Sequence, residues 1–241
     1  MPQAPPEQPG SPKPSPAASA HLSLRHREAL SPRAQALAGR LAAAPLAQDF
    51  YLAGSAALAL YLGHRPVADL DLMSGTNRLA AAERRVLLQA LLGLDPATQV
   101  ETARDGYLFV RAGGGVPLRL FYYPYPLVAP AEDAGGLAVA SAVDLGLMKL
   151  GAIISRGSRR DFVDLYLLCR ELPLAELLER SGGKFGHVRD FPLQAMKGLA
   201  DLSETTGEAM PRLAIDLNWE TVAAWASAEV QAAGRQLWPS S

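Results

Sequence analysis

The 241-residue chain has one cysteine, Cys169, so no disulfide within the chain can staple the fold; its apolar setting marks it as a core residue. No apolar run approaches the roughly 20 residues that cross a bilayer, and no membrane partner is expected. The opening stretch MPQAPPEQPGSPKPSPAASA has neither the basic nor the apolar region of a secretory signal, which makes a cytoplasmic location the expectation. An excess of charge is missing as well: 23 Lys and Arg against 24 Asp and Glu give a net charge of -1 and a pI near 6.4. So balanced a chain has no global attraction for nucleic acid, and any such partner must be met by a local basic patch. There is no internal repeat, and no Gly-Lys-Ser/Thr that would make a Walker A phosphate loop.

What is there is enough apolar side chain, 49%, to build a real core. Residues 1–20, rich in Pro, Ser and Ala, read as a disordered tail with nothing to bury. Ser31 as N-cap and Pro32 behind it predict a helix over 32–44. Strands are expected at 50–53 and 69–73, with a Gly54-Ser55 turn and a helix ending at Gly63 between them. Asn77 as cap and Gly93 as stop predict the next helix. GYLFVRA and VPLRLFYY follow as a hairpin across Gly113 to Gly115. Helices at 141–155 and 159–172, parted by Gly157 and Ser158, lead into a helical remainder at about 173–181, 190–202 and 218–235. The expected organisation is thus a sheet-bearing core over 21–135 and a helical subdomain over 136–241.

Within FYLAGSAALALYLGHRPVADLDLM, residues 50–73, Asp69 and Asp71 stand in an apolar strand where carboxylates are costly. Strand alternation sends both to one face, about 6.6 Å apart at Cα, with Leu70 and Leu72 in the core. Two like charges so placed call for a cation, and Mg²⁺, or Mn²⁺ in its stead, suits one or two carboxylates completed by phosphate oxygens. Gly54 and Ser55, between strand and helix, allow close backbone approach and offer helix N–H groups to a phosphate. A phosphate cradle beside a two-carboxylate metal pair is what phosphoryl or nucleotidyl transfer requires. Each motif alone also reads as an ordinary polar strand edge or an ordinary capped turn.

Residues 50–73 resemble the first motif of nucleotidyltransferases of the DNA polymerase beta type, specifically the AbiEii/AbiGii-type toxin family. YYPYPL at 122–127 and GLAVASAVDLGLMKLGAIISRGSRRDFVDLYLL from 136 to 168 resemble that family's second block. The resemblance implies an α+β fold: a small mixed β-sheet nucleotidyltransferase core flanked by helices, with a C-terminal helical subdomain completing the nucleotide cleft. It implies transfer of a nucleoside monophosphate from a Mg-NTP to an acceptor, a tRNA 3' end in the family, by a toxin restrained by a cognate antitoxin. Lys149 then becomes a nucleotide-phosphate ligand with Arg156 two turns along the same face, while Asp161 and Asp164 hold these cations or, for Asp161, assist the chemistry. An apolar-flanked Lys149 needs an anionic partner or a snorkelling path in any case.

Arg65 reads equally as a phosphate contact or a surface arginine, and His64 as a loop residue rather than a base. The polymerase-beta type has a third carboxylate on the strand after the metal pair; here that strand has Arg119 and no acid. Three alternatives stand in for it: Asp161 as general base, Glu101 as general base, or chemistry that needs one metal ion alone. Arg104, Arg111, Arg119, Arg156, Arg159 and Arg160 are the candidates for a basic patch. A small-molecule nucleotidyltransferase and a non-catalytic nucleotide- or partner-binding protein on the same scaffold are the competing readings.

Overall fold

The computed structural model describes residues 22–237, and the predicted tail at 1–20 lies outside them. Helix α1 (Pro32–Ala42) starts as expected: Ser31 Oγ accepts the Ala34 N–H and Pro32 takes the first helical position. A strand-helix-strand unit follows, made of β1 (Tyr51–Ala53), α2 (Gly54–Leu62) and β2 (Leu70–Ser74). Helix α3 (Ala81–Leu94) then leads to β3 (Gln99–Arg104), β4 (Tyr107–Ala112), β5 (Val116–Tyr122), β6 (Glu132–Asp133) and β7 (Ala138–Val139). The chain finishes in α4 (Ala142–Ser155), α5 (Arg159–Cys169), α6 (Leu174–Phe185), α7 (Phe191–Ala200) and α8 (Trp219–Leu237).

The seven strands form one mixed sheet in the order β3-β4-β5-β2-β1-β7-β6. β2 lies between β1, antiparallel to it, and β5, parallel to it, so that Asp71 has Ala53 on one side and Arg119 on the other. Leu70 and Leu72 are fully buried while Asp71 and Met73 are only partly so, the alternation that an amphipathic strand demands. Each such leucine contributes about 1.5–3 kcal/mol of burial, which fixes the register and thereby the face on which the acids emerge. One apolar cluster joins the sheet to α1 and α2, and a second fills the space among α4 to α8 around Leu150, Phe162, Leu177 and Phe191. Helix α2 is buried nearly all round, from Ala56 to Tyr61, as a helix between sheet and helices must be.

The mixed sheet with flanking and C-terminal helices is the α+β arrangement the sequence implied. Two local expectations are corrected. Helix α3 begins four residues after Asn77, because Asn77 Oδ1 instead accepts the Leu79 N–H in a turn with Leu79 at φ 54°; Glu83 then accepts the Ala80 N–H. It runs through Gly93 and stops at Asp95, whose carboxylate accepts the Ala97 and Gly113 N–H groups. Strand β3 is an addition, unforeseen because all six of its residues are exposed and none supplies an apolar alternation.

Candidate active site

Asp69, just ahead of β2, and Asp71 within it both reach Arg119. Its Nη1 donates to Asp69 Oδ2 at 2.7 Å and to Asp71 Oδ1 at 3.1 Å. Burial pushes the Asp71 carboxyl above the usual carboxylate range, and the Arg119 guanidinium only partly reverses it. Burial likewise opposes the charge of Arg119, but the two acids outweigh it and raise the guanidinium's pKa. Two carboxylate oxygens therefore already converge on one cationic point. Among the described residues no three His, Cys, Asp or Glu gather as a complete protein cage. A two-carboxylate set of this kind fits Mg²⁺ or Mn²⁺ whose other positions are filled by water and phosphate.

Behind the acids, Gly54 opens α2 at φ 62°, a left-handed value that L side chains avoid. A Cβ there would lie 2.6 Å from Asp71 Oδ2. The position thus excludes a side chain twice, by backbone and by contact. The N-cap residue is Ala53, which supplies no capping side chain, so among the described residues no side chain caps the first-turn N–H groups beside Ser55, which can meet an anion. If the chain transfers nucleotides as the resemblance implies, Gly54→Ala is expected to lower that transfer by about two orders of magnitude, the penalty for misplacing reacting groups by an ångström, at a stability cost of about 1–3 kcal/mol. A rate assay beside a thermal melt checks both, and wild-type rates would show the turn to be tolerant.

Lys149 in α4 resolves the burial question. Its Nζ lies 3.0 Å from Asp161 Oδ1 and 2.8 Å from Asp164 Oδ2, so two aspartates of α5 supply the anionic partner that its apolar flanks required. An ammonium has three N–H bonds, and among the described residues these two acids leave one of them for a ligand. Arg156 donates to Asp161 through Nε at 2.8 Å and Nη2 at 3.1 Å. Ser158, the N-cap of α5, adds its hydroxyl at 2.7 Å.

The sidechains converge on a cleft of about 740 Å³, with Ser55, Asp69, Asp71 and Arg119 on one wall and Lys149, Arg156 and Arg160 on another. Residues 208–212 close it. That segment is held by the Arg159 N–H donating to Glu208 Oε2 at 2.6 Å and the Ala214 N–H donating to His64 O at 2.8 Å. It brings in Arg212, a cleft cation that no motif pointed to, since it sits in an aperiodic stretch between helices.

Several expected roles change. Asp161 is 1% exposed; burial would raise its carboxyl, but Arg156, Lys149 and Ser158 prevail and hold it at about 2. Both of its oxygens are engaged by these three groups. Glu101 of β3 accepts from Arg111 Nε of β4 at 2.6 Å in an exposed pair and does not line the cleft. Arg65 is neither a phosphate contact nor a surface residue: it is buried, and its Nε and Nη2 donate to Asp164 at 3.0 and 3.2 Å. His64 is buried too, with Nε2 2.8 Å from Asp164 Oδ1. The six arginines do not form one patch. Arg119, Arg156 and Arg160 line the cleft, whereas Arg104 stacks on Tyr107 and Arg159 lies 4.7 Å over Trp219.

Among the described residues no helix is long and apolar enough to cross a membrane. JHP933 from Helicobacter pylori aligns with a TM-score of 0.51 at 19% identity, over 86% of this chain and 94% of that one, and so shares the fold. The Megavirus polyadenylate synthase aligns with a TM-score of 0.42 at 13% identity, over 59% of this chain and 31% of its own. Among curated proteins, an uncharacterized protein of Aquifex aeolicus is 30% identical over 128 residues, or 52% of this chain; the match spans 60% of that relative's length. A family model described as nucleotidyl transferase AbiEii toxin, Type IV TA system, matches residues 35–238. The chain belongs to the AbiEii nucleotidyl transferase toxin family.

Proposed function

We propose that the chain transfers a nucleoside monophosphate from an NTP to an RNA acceptor, with a tRNA 3' end as the substrate class and a cognate antitoxin as its restraint. The observation that carries this reading is the meeting, in one cleft, of an acid pair, an uncapped helix N-terminus and four further cations, Lys149, Arg156, Arg160 and Arg212. That is a charge pattern for a polyphosphate seated against a two-carboxylate metal pair.

Asp69 and Asp71 would hold the divalent cation. When bound, it supplies charge neutralisation at the reacting phosphate and an alignment of nucleotide with acceptor oxygen. The other work falls to the chain. Gly54 lets the backbone come close, and the first-turn N–H groups of α2 take a phosphate oxygen. Lys149, steadied by Asp161 and Asp164, reaches the polyphosphate as a fixed point charge, and Arg156, Arg160 and Arg212 surround its outer oxygens. Asp161 and Asp164 are positioning residues in this scheme.

The acceptor side has a second recess of about 400 Å³ that shares Asp71, Phe121, Lys149 and Arg156 with the cleft and continues over Tyr123, Tyr125 and Phe185. Aromatic faces beside cations suit an unpaired RNA end, whose bases stack without sequence readout. A small acceptor has less need of such a surface. Purified protein is to be incubated with each α-labelled NTP, Mg²⁺ and total tRNA. Label is expected in tRNA, at the 3' end, from one or two of the four nucleotides. Label confined to a small acceptor would favour an antibiotic-type transferase, and nucleotide bound without any transfer would favour a binding protein; either outcome overturns the reading.

A further inference from the structure

Arg119 stands directly opposite Asp71 in the parallel register of β2 and β5. One nitrogen, Nη1, touches both carboxylates, at 2.7 and 3.1 Å, where a cation shared by the two would stand. The guanidinium lies over the Phe109 ring at 5.2 Å, yet the side chain is 30% exposed and lines the cleft, so it has room to leave. With Arg119 in place the acids sum to a charge of -1. Adding a divalent cation without moving Arg119 would crowd three positive charges onto two carboxylates. A polyphosphate brings negative charge to the same cleft and gives the guanidinium a bidentate alternative.

Resting on the proposed reading of Asp69 and Asp71 as the metal pair, we propose that Arg119 is an exchangeable internal counter-ion. It closes the acid pair against a divalent cation alone and moves to the polyphosphate when cation and nucleotide arrive together. Metal and nucleotide binding are then coupled through one side chain, and each raises the other's affinity by the same factor.

The test measures Mn²⁺ binding by electron paramagnetic resonance, with and without a non-hydrolysable NTP analogue, in wild type, Arg119→Gln and Arg119→Lys. Arg119→Gln is expected to bind Mn²⁺ alone about tenfold more tightly than wild type, and the gain from adding the analogue is expected to shrink by a similar factor. Arg119→Lys keeps the charge but loses the fork, and should fall between the two; it also serves if the glutamine variant folds poorly. Mn²⁺ affinity in the folded variants equal to or below that of wild type overturns the counter-ion role and leaves the metal pair standing. No Mn²⁺ binding in any form, with or without the analogue, removes the metal pair and the counter-ion together.

Discussion

Asp71→Asn is expected to reduce nucleotide transfer by about a thousandfold or more while the protein melts within a few degrees of wild type. The first half follows from position: Asp71 lies against the Gly54-Ser55 turn, with Oδ2 where a Cβ on residue 54 would stand, and among the described residues it is one of two acids on that wall. Asparagine keeps its shape but removes a charged ligand from a low-dielectric pocket, where such groups are worth several kcal/mol in the transition state. The second half follows from Arg119, which keeps its shorter contact, 2.7 Å, to Asp69. A part-exposed ion pair of this type contributes about 1 kcal/mol or less. Steady-state transfer and a melting curve on the same preparation decide the matter. In cells, wild type expressed alone is expected to halt growth, and the variant at equal abundance to leave it unaffected. Undiminished transfer by Asp71→Asn would end the assignment of the acid pair.

How much of this was legible in the sequence depended on whether a signal was local. Asp69 and Asp71 were readable because strand alternation turns a two-residue spacing into a shared face. Lys149 was readable as a lysine in need of an anion, though only the packing of α5 on α4 shows that two aspartates share it. Arg65 was misjudged for the complementary reason, and His64, in the loop where it was expected, was not foreseen to be buried. Their partner lies 99 and 100 residues away, and nothing in GHRP distinguishes a loop from a buried network. Arg212 left no trace at all, because it reaches the cleft on an aperiodic segment anchored by backbone hydrogen bonds. Strand β3 escaped because edge pairing rests on main-chain groups rather than on a hydrophobic pattern.

Asp164 carries the largest expected effect on stability. It is wholly buried and meets Arg65 at two oxygens, His64 Nε2 at 2.8 Å and Lys149 Nζ at 2.8 Å. Asp164→Asn would leave buried Arg65 without its carboxylate and Lys149 with Asp161 alone, a change that costs about 3–5 kcal/mol. For a domain of this size that lowers the melting temperature by roughly 10 °C. The same network sets the response to acid. Burial acts to raise Asp164, but Lys149, His64 and Arg65 hold it well below the usual carboxylate range, and Asp161 is held at about 2. Carboxyls depressed in the folded state contribute stability that is full above their unfolded value near 3.9 and drains away as pH falls through the folded values. Wild type is therefore expected to lose stability steeply from about pH 4 toward pH 2, and Asp164→Asn, already without one of these groups, to do so less steeply. Chemical denaturation at a series of pH values reads both quantities. A variant as stable as wild type at pH 7, with the same acid slope, would mean that Lys149 and Arg65 find other partners. Lys149 would then owe its place at the cleft to apolar packing rather than to the aspartates behind it.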